Sequence, residues 1–165
     1  MSGASPAYRD SLLSHYEAEI EAEAYFETLA AAAFDPGQEE KLMLLAKVER
    51  HAAAAIAPLL ACHGLRAADR QVLLEKGRAE ARAAPGWDAL LAGMRSTYPA
   101  YISEMEELET LGPAEDRARL AFFTAHERAA LAFADLAAQG APDSAAPLRR
   151  YLAATFDGHG QDCGG

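Results

Sequence analysis

Long segments rich in alanine, leucine and glutamate, cut by Asp35-Pro36-Gly37, Gly64, Pro85-Gly86, Gly112-Pro113 and Gly140-Ala141-Pro142, leave this chain few choices of fold. Glycine and proline interrupt helices, and no two-residue alternation of strand type fills the gaps between them. The pattern predicts an all-α protein with four long helices, at about Tyr8 to Ala33, Gly37 to His63, Trp87 to Leu111 and Ala114 to Gln139. At ~1.5 Å per residue each spans roughly 35 to 40 Å, the matched length that a bundle needs. Residues 64–86 are polar, weakly helical around Gln71 to Ala84, and long enough to travel the length of a bundle, whereas the other breaks are tight turns. An antiparallel four-helix bundle with one long crossover between helices two and three is therefore expected.

Residues 1–140 are expected to form this bundle, and 141–165 a Pro- and Gly-rich tail. Within the tail a short helix around Pro147 to Thr155 is expected to dock through Leu148, Tyr151 and Leu152, with disorder after Phe156. A chain of 165 residues, 51% hydrophobic, suffices for one core and not for two. A net charge of -10 offers no basic patch to displace counterions from phosphates, which argues against nucleic acid or an anionic membrane as partner. Small molecules, cations or protein partners remain, and Ala/Leu faces of this kind suit a homodimer. No run approaches the ~18 apolar residues of a membrane span, and Met1 to Asp10 lacks a signal-type apolar stretch, so the expected compartment is the cytoplasm. Cys62 and Cys163 have neither zinc-type nor redox-type spacing and are expected to be reduced thiols.

Three glutamates stand where such helices should carry leucine. At about 100° per residue, helix one places Leu12, Leu13, Tyr16, Ile20, Phe26 and Ala30 on one stripe, with Glu19 and Glu23 inside it; Glu17 and Glu21 point away and Glu27 lies at the margin. Glu49 sits among Leu42, Leu45, Val48, Ala52, Ile56 and Leu59, and Glu127 among Leu120, Phe123, Ala130, Leu131 and Ala134. Helix three carries no central acid; Tyr98 takes that place between Met94 and Met105. All four lie near mid-helix, so in an antiparallel bundle Glu19, Glu49, Tyr98 and Glu127 meet at one height. Burial can raise a carboxyl pKa by up to ~3 to 5, so three unpaired carboxylates would be ruinous without a cation, a shared proton or a cationic ligand.

Glu-Ile-Glu-Ala-Glu-Ala-Tyr-Phe (19–26), Leu-Ala-Lys-Val-Glu (45–49), the long crossover and Ala-His-Glu (125–127) together make residues 8–139 resemble the ferritin-like superfamily of carboxylate-bridged di-metal proteins. In that family one Glu from each of two helices joins a Glu-x-x-His from each of the other two. The resemblance implies Glu19 as the helix-one ligand, Glu49 as the first bridging acid and Glu127 as its helix-four counterpart. The histidines are missing: the expected positions hold Ala52 and Ala130, and the helix-three acid is replaced by Tyr98. Three of six expected ligands remain. Glu23, one turn from Glu19, is the candidate extra ligand. His51 and His126 each neighbour a glutamate and should point about 100° away from it, as flanking or surface residues. His15, one turn before Glu19, is an alternative, and His63 lies too far from Glu49.

The expectation is thus a carboxylate-rich metal centre of Glu19, Glu23, Glu49 and Glu127 holding iron or manganese, with Tyr98 beside it as the catalytic candidate. As the resemblance implies, an enzyme of this kind would be an oxidoreductase using dioxygen on a small substrate. The alternative is a metal-free descendant whose cavity binds a small ligand or serves structure and oligomerisation. Iron storage is a third.

Overall fold

Helix starts here are written in side chains. Ser5 Oγ accepts from the backbone N–H of Tyr8 at 3.1 Å and Asp35 Oδ1 from that of Gln38 at 3.0 Å, each just before a proline at the first helical position. Proline suits that position because its missing N–H would be unpaired there anyway. The helices accordingly begin earlier than the apolar periodicity alone predicts.

The computed structural model describes residues 3–156, and everything described is helix or short connection. The order is α1 (Pro6–Ala32), α2 (Pro36–Cys62), α3 (Arg70–Arg82), α4 (Trp87–Leu111), α5 (Arg117–Ala138) and α6 (Ala146–Ala153). Gly64 and Gly140, at φ 63 and 68, end α2 and α5 in left-handed turns where Leu65 N–H returns to the Leu60 carbonyl and Ala141 N–H to that of Leu136. The fifth helix starts three residues later than expected, because Pro113 to Asp116 form a turn and the Asp116 carboxylate is used elsewhere.

Helix α1 packs on α2, α2 on α5, α5 on α4, and α4 more sparsely on α1. Leu12, Phe26, Leu45, Val48, Ile56, Met94, Met105, Leu108, Leu120, Phe123 and Phe133 fill the space between them. Each such side chain contributes about 1.5 to 3 kcal/mol of transfer free energy. At one end Tyr8 Oη donates to Asp116 Oδ2 at 2.7 Å, and the same oxygen meets His63 Nε2 at 2.6 Å. This buried knot ties the start of α1 to the end of α2 and the start of α5. Gly112, at the end of α4, lies against Tyr8 and Leu120.

The stretch between α2 and α4 is better anchored than its polarity suggests. α3 lies on a second face of α1, where Leu73 and Leu74 pack on Ile20 and Ala24. Gly77 approaches so closely that a Cβ there would fall 2.0 Å from the Glu21 carbonyl oxygen. The outward carboxylates of α1 serve this docking: Glu17 accepts from the Ala68 N–H at 2.7 Å, and Lys76 Nζ pairs with Glu21 at 2.9 Å. They fasten α3 and are not merely solvated.

Leu148 and Tyr151 of α6 are buried against α2 and α5, and His51 Nε2 lies 2.7 Å from the Ala154 carbonyl to hold its end. The disorder expected after Phe156, like Cys163, falls outside the described residues. Cys62 is disulfide-bonded, which corrects the expectation of two reduced thiols. None of the described helices is long and apolar enough to cross a membrane.

Candidate metal centre

Mid-height residues of α1, α2 and α5 converge. Glu19, Glu49 and Glu127 are 5%, 2% and 6% exposed. His126, from the same turn of α5 as Glu127, is wholly buried at the focus. Its Nε2 lies 3.1 Å from Glu19 Oε2, 3.3 Å from Glu49 Oε2 and 3.4 Å from Glu127 Oε2. Donor atoms of Glu19, Glu49 and His126 all fall within 4.8 Å of one another, with Glu127 flanking them.

The position of His126 overturns the expectation of a flanking residue. That expectation assumed one inward face, with residues 100° from it directed to solvent. Helix α5, however, is covered by α4, α2 and α6, so its buried arc exceeds a single stripe. Tyr151 of α6 closes the side on which His126 would otherwise emerge, with ring centroids 6.2 Å apart. The residues around His126 carried the available signal: Phe122, Phe123, Ala125, Ala129 and Ala130 make a segment too apolar for a solvent-facing imidazole.

Glu23 is buried but does not join the cluster. Arg50 Nε donates to its Oε1 at 2.7 Å, and Arg70 Nη2 to its Oε2 at 3.3 Å, placing it at the α1, α2 and α3 junction. Arg50 projects outward as the periodicity predicts, yet its length lets the guanidinium reach back. His15 lines the adjacent cleft against Phe123 and is not in the donor group. His63 belongs to the distant knot with Asp116.

The electrostatics follow from burial and crowding. Burial and the neighbouring Glu19 charge push Glu49 well above the ordinary carboxyl range. Burial raises Glu127 to about 7, with Glu49 adding and His126 opposing. Burial alone would lower His126, but the charges of Glu19 and Glu49 prevail and hold it well above the ordinary imidazole value. Tyr98 is kept firmly protonated, by burial first and then by Glu127, Glu49 and Glu19. Burial lowers His15, which favours the neutral ring at neutral pH.

A short contact between His126 Nδ1 and the Phe123 carbonyl fixes the imidazole: Nδ1–H donates to that carbonyl, so Nε2, which carries a second proton while no cation replaces it, is turned toward the carboxylates. Backbone-anchored histidines are arranged in this way when Nε2 is to bind a cation. No lysine or arginine among the described residues pairs with Glu19, Glu49 or Glu127. Three carboxylates and one imidazole fit a divalent first-row metal ion. No family model, curated protein or solved structure matches the chain.

A cleft of about 500 Å³ leads to the centre between α1 and α4, the most sparsely packed neighbours among the four long helices. Glu19, Glu49, Glu127 and Tyr98 line its interior. Pro99, immediately after Tyr98, lacks the N–H that would bond the Arg95 carbonyl, so the α4 ladder is interrupted beside the site.

Proposed function

We propose that this chain is a ferritin-like antiparallel four-helix bundle, with α3 as its crossover, that binds a metal ion through Glu19, Glu49, His126 and Glu127. The observation that carries this reading is the anchored imidazole whose Nε2 meets three buried carboxylates that pair with no lysine or arginine among the described residues. Four donors suit one ion rather than the two of the related carboxylate-bridged centres. Iron or manganese is the ion proposed, because oxygen donors with one imidazole favour these metals over softer ones.

When bound, such an ion would supply Lewis acidity and redox chemistry beside the cleft, as in an oxidoreductase using dioxygen on a small substrate. The chain's own residues do the rest. Phe123 holds the ring of His126, Tyr151 and Phe123 keep water from its far side, and Tyr98 keeps a phenolic proton facing the carboxylates. The α1/α4 cleft is lined by Tyr98 together with Glu19, Glu49 and Glu127, so a molecule within it lies beside the donors.

A second reading has its own support. Burial first, and then the charge of Glu19 beside it, push the Glu49 carboxyl well above its ordinary range, so Glu49 can keep a proton and share it with Glu19. The same cluster could therefore be a metal-free, proton-bridged core under a ligand cavity. Titration of chelator-stripped protein with Mn(II) and Fe(II) separates the two. The metal reading expects one ion per chain, lost in the Glu49→Ala/Glu127→Ala variant; equal uptake by both proteins, or none by either, would overturn it.

A further inference from the structure

The α1/α4 cleft has a chemistry of its own. It runs from Ser14 to Phe26 along α1, a rise of roughly 18 Å. Its volume of about 500 Å³ lies within the ~300 to 1,000 Å³ usual for small-molecule sites. Leu90, Met94 and Met105 make one wall apolar, and Tyr25, Tyr98 and Tyr101 are aromatic. No lysine or arginine is among the described residues lining it. Of the carboxylates near its ends, Glu21 is paired with Lys76, whereas Glu80 and Glu104 make no ion pair among the described residues and Glu104 has only the His15 ring, which burial keeps neutral, on its side of the cleft.

One end is built more specifically. Tyr98 and Tyr101 stand with ring centroids 5.8 Å apart on the same side of α4 as Glu104, one turn further on. Tyr98 lines the cleft alongside Glu19, Glu49 and Glu127, and its hydroxyl makes no hydrogen bond within the described residues. Two tilted aromatic faces and a carboxylate are what an organic cation selects, through cation–π attraction and a charged hydrogen bond. An anionic molecule would meet only like charge, and a small polar one would leave the Met/Leu wall wet.

We propose that the cleft binds an elongated organic amine, with its ammonium at Tyr98, Tyr101 and Glu104 and its apolar body along Leu90, Met94 and Met105. This names the substrate class of the centre proposed above and rests on that reading for its catalytic meaning, while the cation preference is measurable without metal.

Calorimetric titration of the full chain in chelator with 2-phenylethylamine, 2-phenylethanol and phenylacetate tests it. The amine is expected to bind roughly tenfold or more tighter than the alcohol, and phenylacetate not to bind. Tyr101→Ala and Glu104→Gln, both at exposed positions, are each expected to weaken the amine about three- to tenfold while leaving the alcohol unchanged. Binding of alcohol or phenylacetate as tight as the amine, failure of all three to bind, or an amine preference that survives the double variant would overturn the proposal. Retained amine preference in a protein that takes up no Mn(II) would instead refute the metal centre alone.

Discussion

Glu127→Gln isolates the cost of holding a carboxylate in this core without metal. In the folded chain the Glu127 carboxyl is pushed up to about 7 from 4.5, chiefly by burial. Because the folded value is raised, Glu127 costs nothing below about pH 4.5, where both states carry the proton. Between about 4.5 and 7 the unfolded chain gives up its proton first, and stability falls as pH rises. Above about 7 the whole cost applies, about 3 kcal/mol at ~1.4 kcal/mol per pKa unit. Glutamine keeps the shape of the protonated acid and cannot ionise, so the variant escapes this loss. It also removes a charge near Glu49, which acts in the same direction. For a chain of this length the variant should melt roughly 6 to 12 °C above the wild type at pH 8.5 in chelator, and within a few degrees of it at pH 4.5. Calorimetric melts of both proteins across that range are the assay, with other titrating groups cancelling in the difference. A difference that does not grow with pH, or a wild type more stable than the variant at pH 8.5 without metal, would refute the reasoning. Saturating Mn(II) should reverse the order, since the glutamine supplies a poorer donor.

His126→Ala removes the one imidazole that the described residues bring to the focus and should weaken Mn(II) binding by roughly two orders of magnitude or more, as measured by competition with a chelating dye. Glu23→Gln should leave Mn(II) affinity within about twofold, yet cost roughly 1 to 3 kcal/mol in denaturant unfolding because Arg50 and Arg70 lose their shared buried partner; metal loss in that variant would restore Glu23 as a ligand. Gly77→Ala forces a methyl group into the Glu21 carbonyl, so α3 must lift from α1, and limited proteolysis should cut within residues 64–86 at a rate well above wild type. Mn(II) affinity of the wild type should rise with pH through about 7 as Glu127 releases its proton, visible as a proton-release term in calorimetry.

The helices were readable because glycine and proline mark their ends and the apolar stripes between are long. Ser5, Asp35 and their prolines shift the starts by one or two residues, a matter of caps rather than periodicity. Glu19, Glu49 and Glu127 stood out because their flanks are so apolar. What a helical wheel could not give were facts about neighbours. His126 is inside because α6 covers its side of α5. Glu23 is spoken for because Arg50, 27 residues away, folds back onto it. The knot of Tyr8, His63 and Asp116 joins residues up to 108 positions apart and left no local trace beyond an aspartate that fails to cap its own helix.

All four donors come from α1, α2 and α5, while α4 supplies Tyr98 and one wall of the cleft but no donor. What the proposed centre would hold and what the cleft would admit are therefore written on different helices. Substitutions at Met94, Tyr101 or Glu104 can retune the guest without disturbing the cage, which makes α4 the place to begin if this scaffold is to be taught a new substrate.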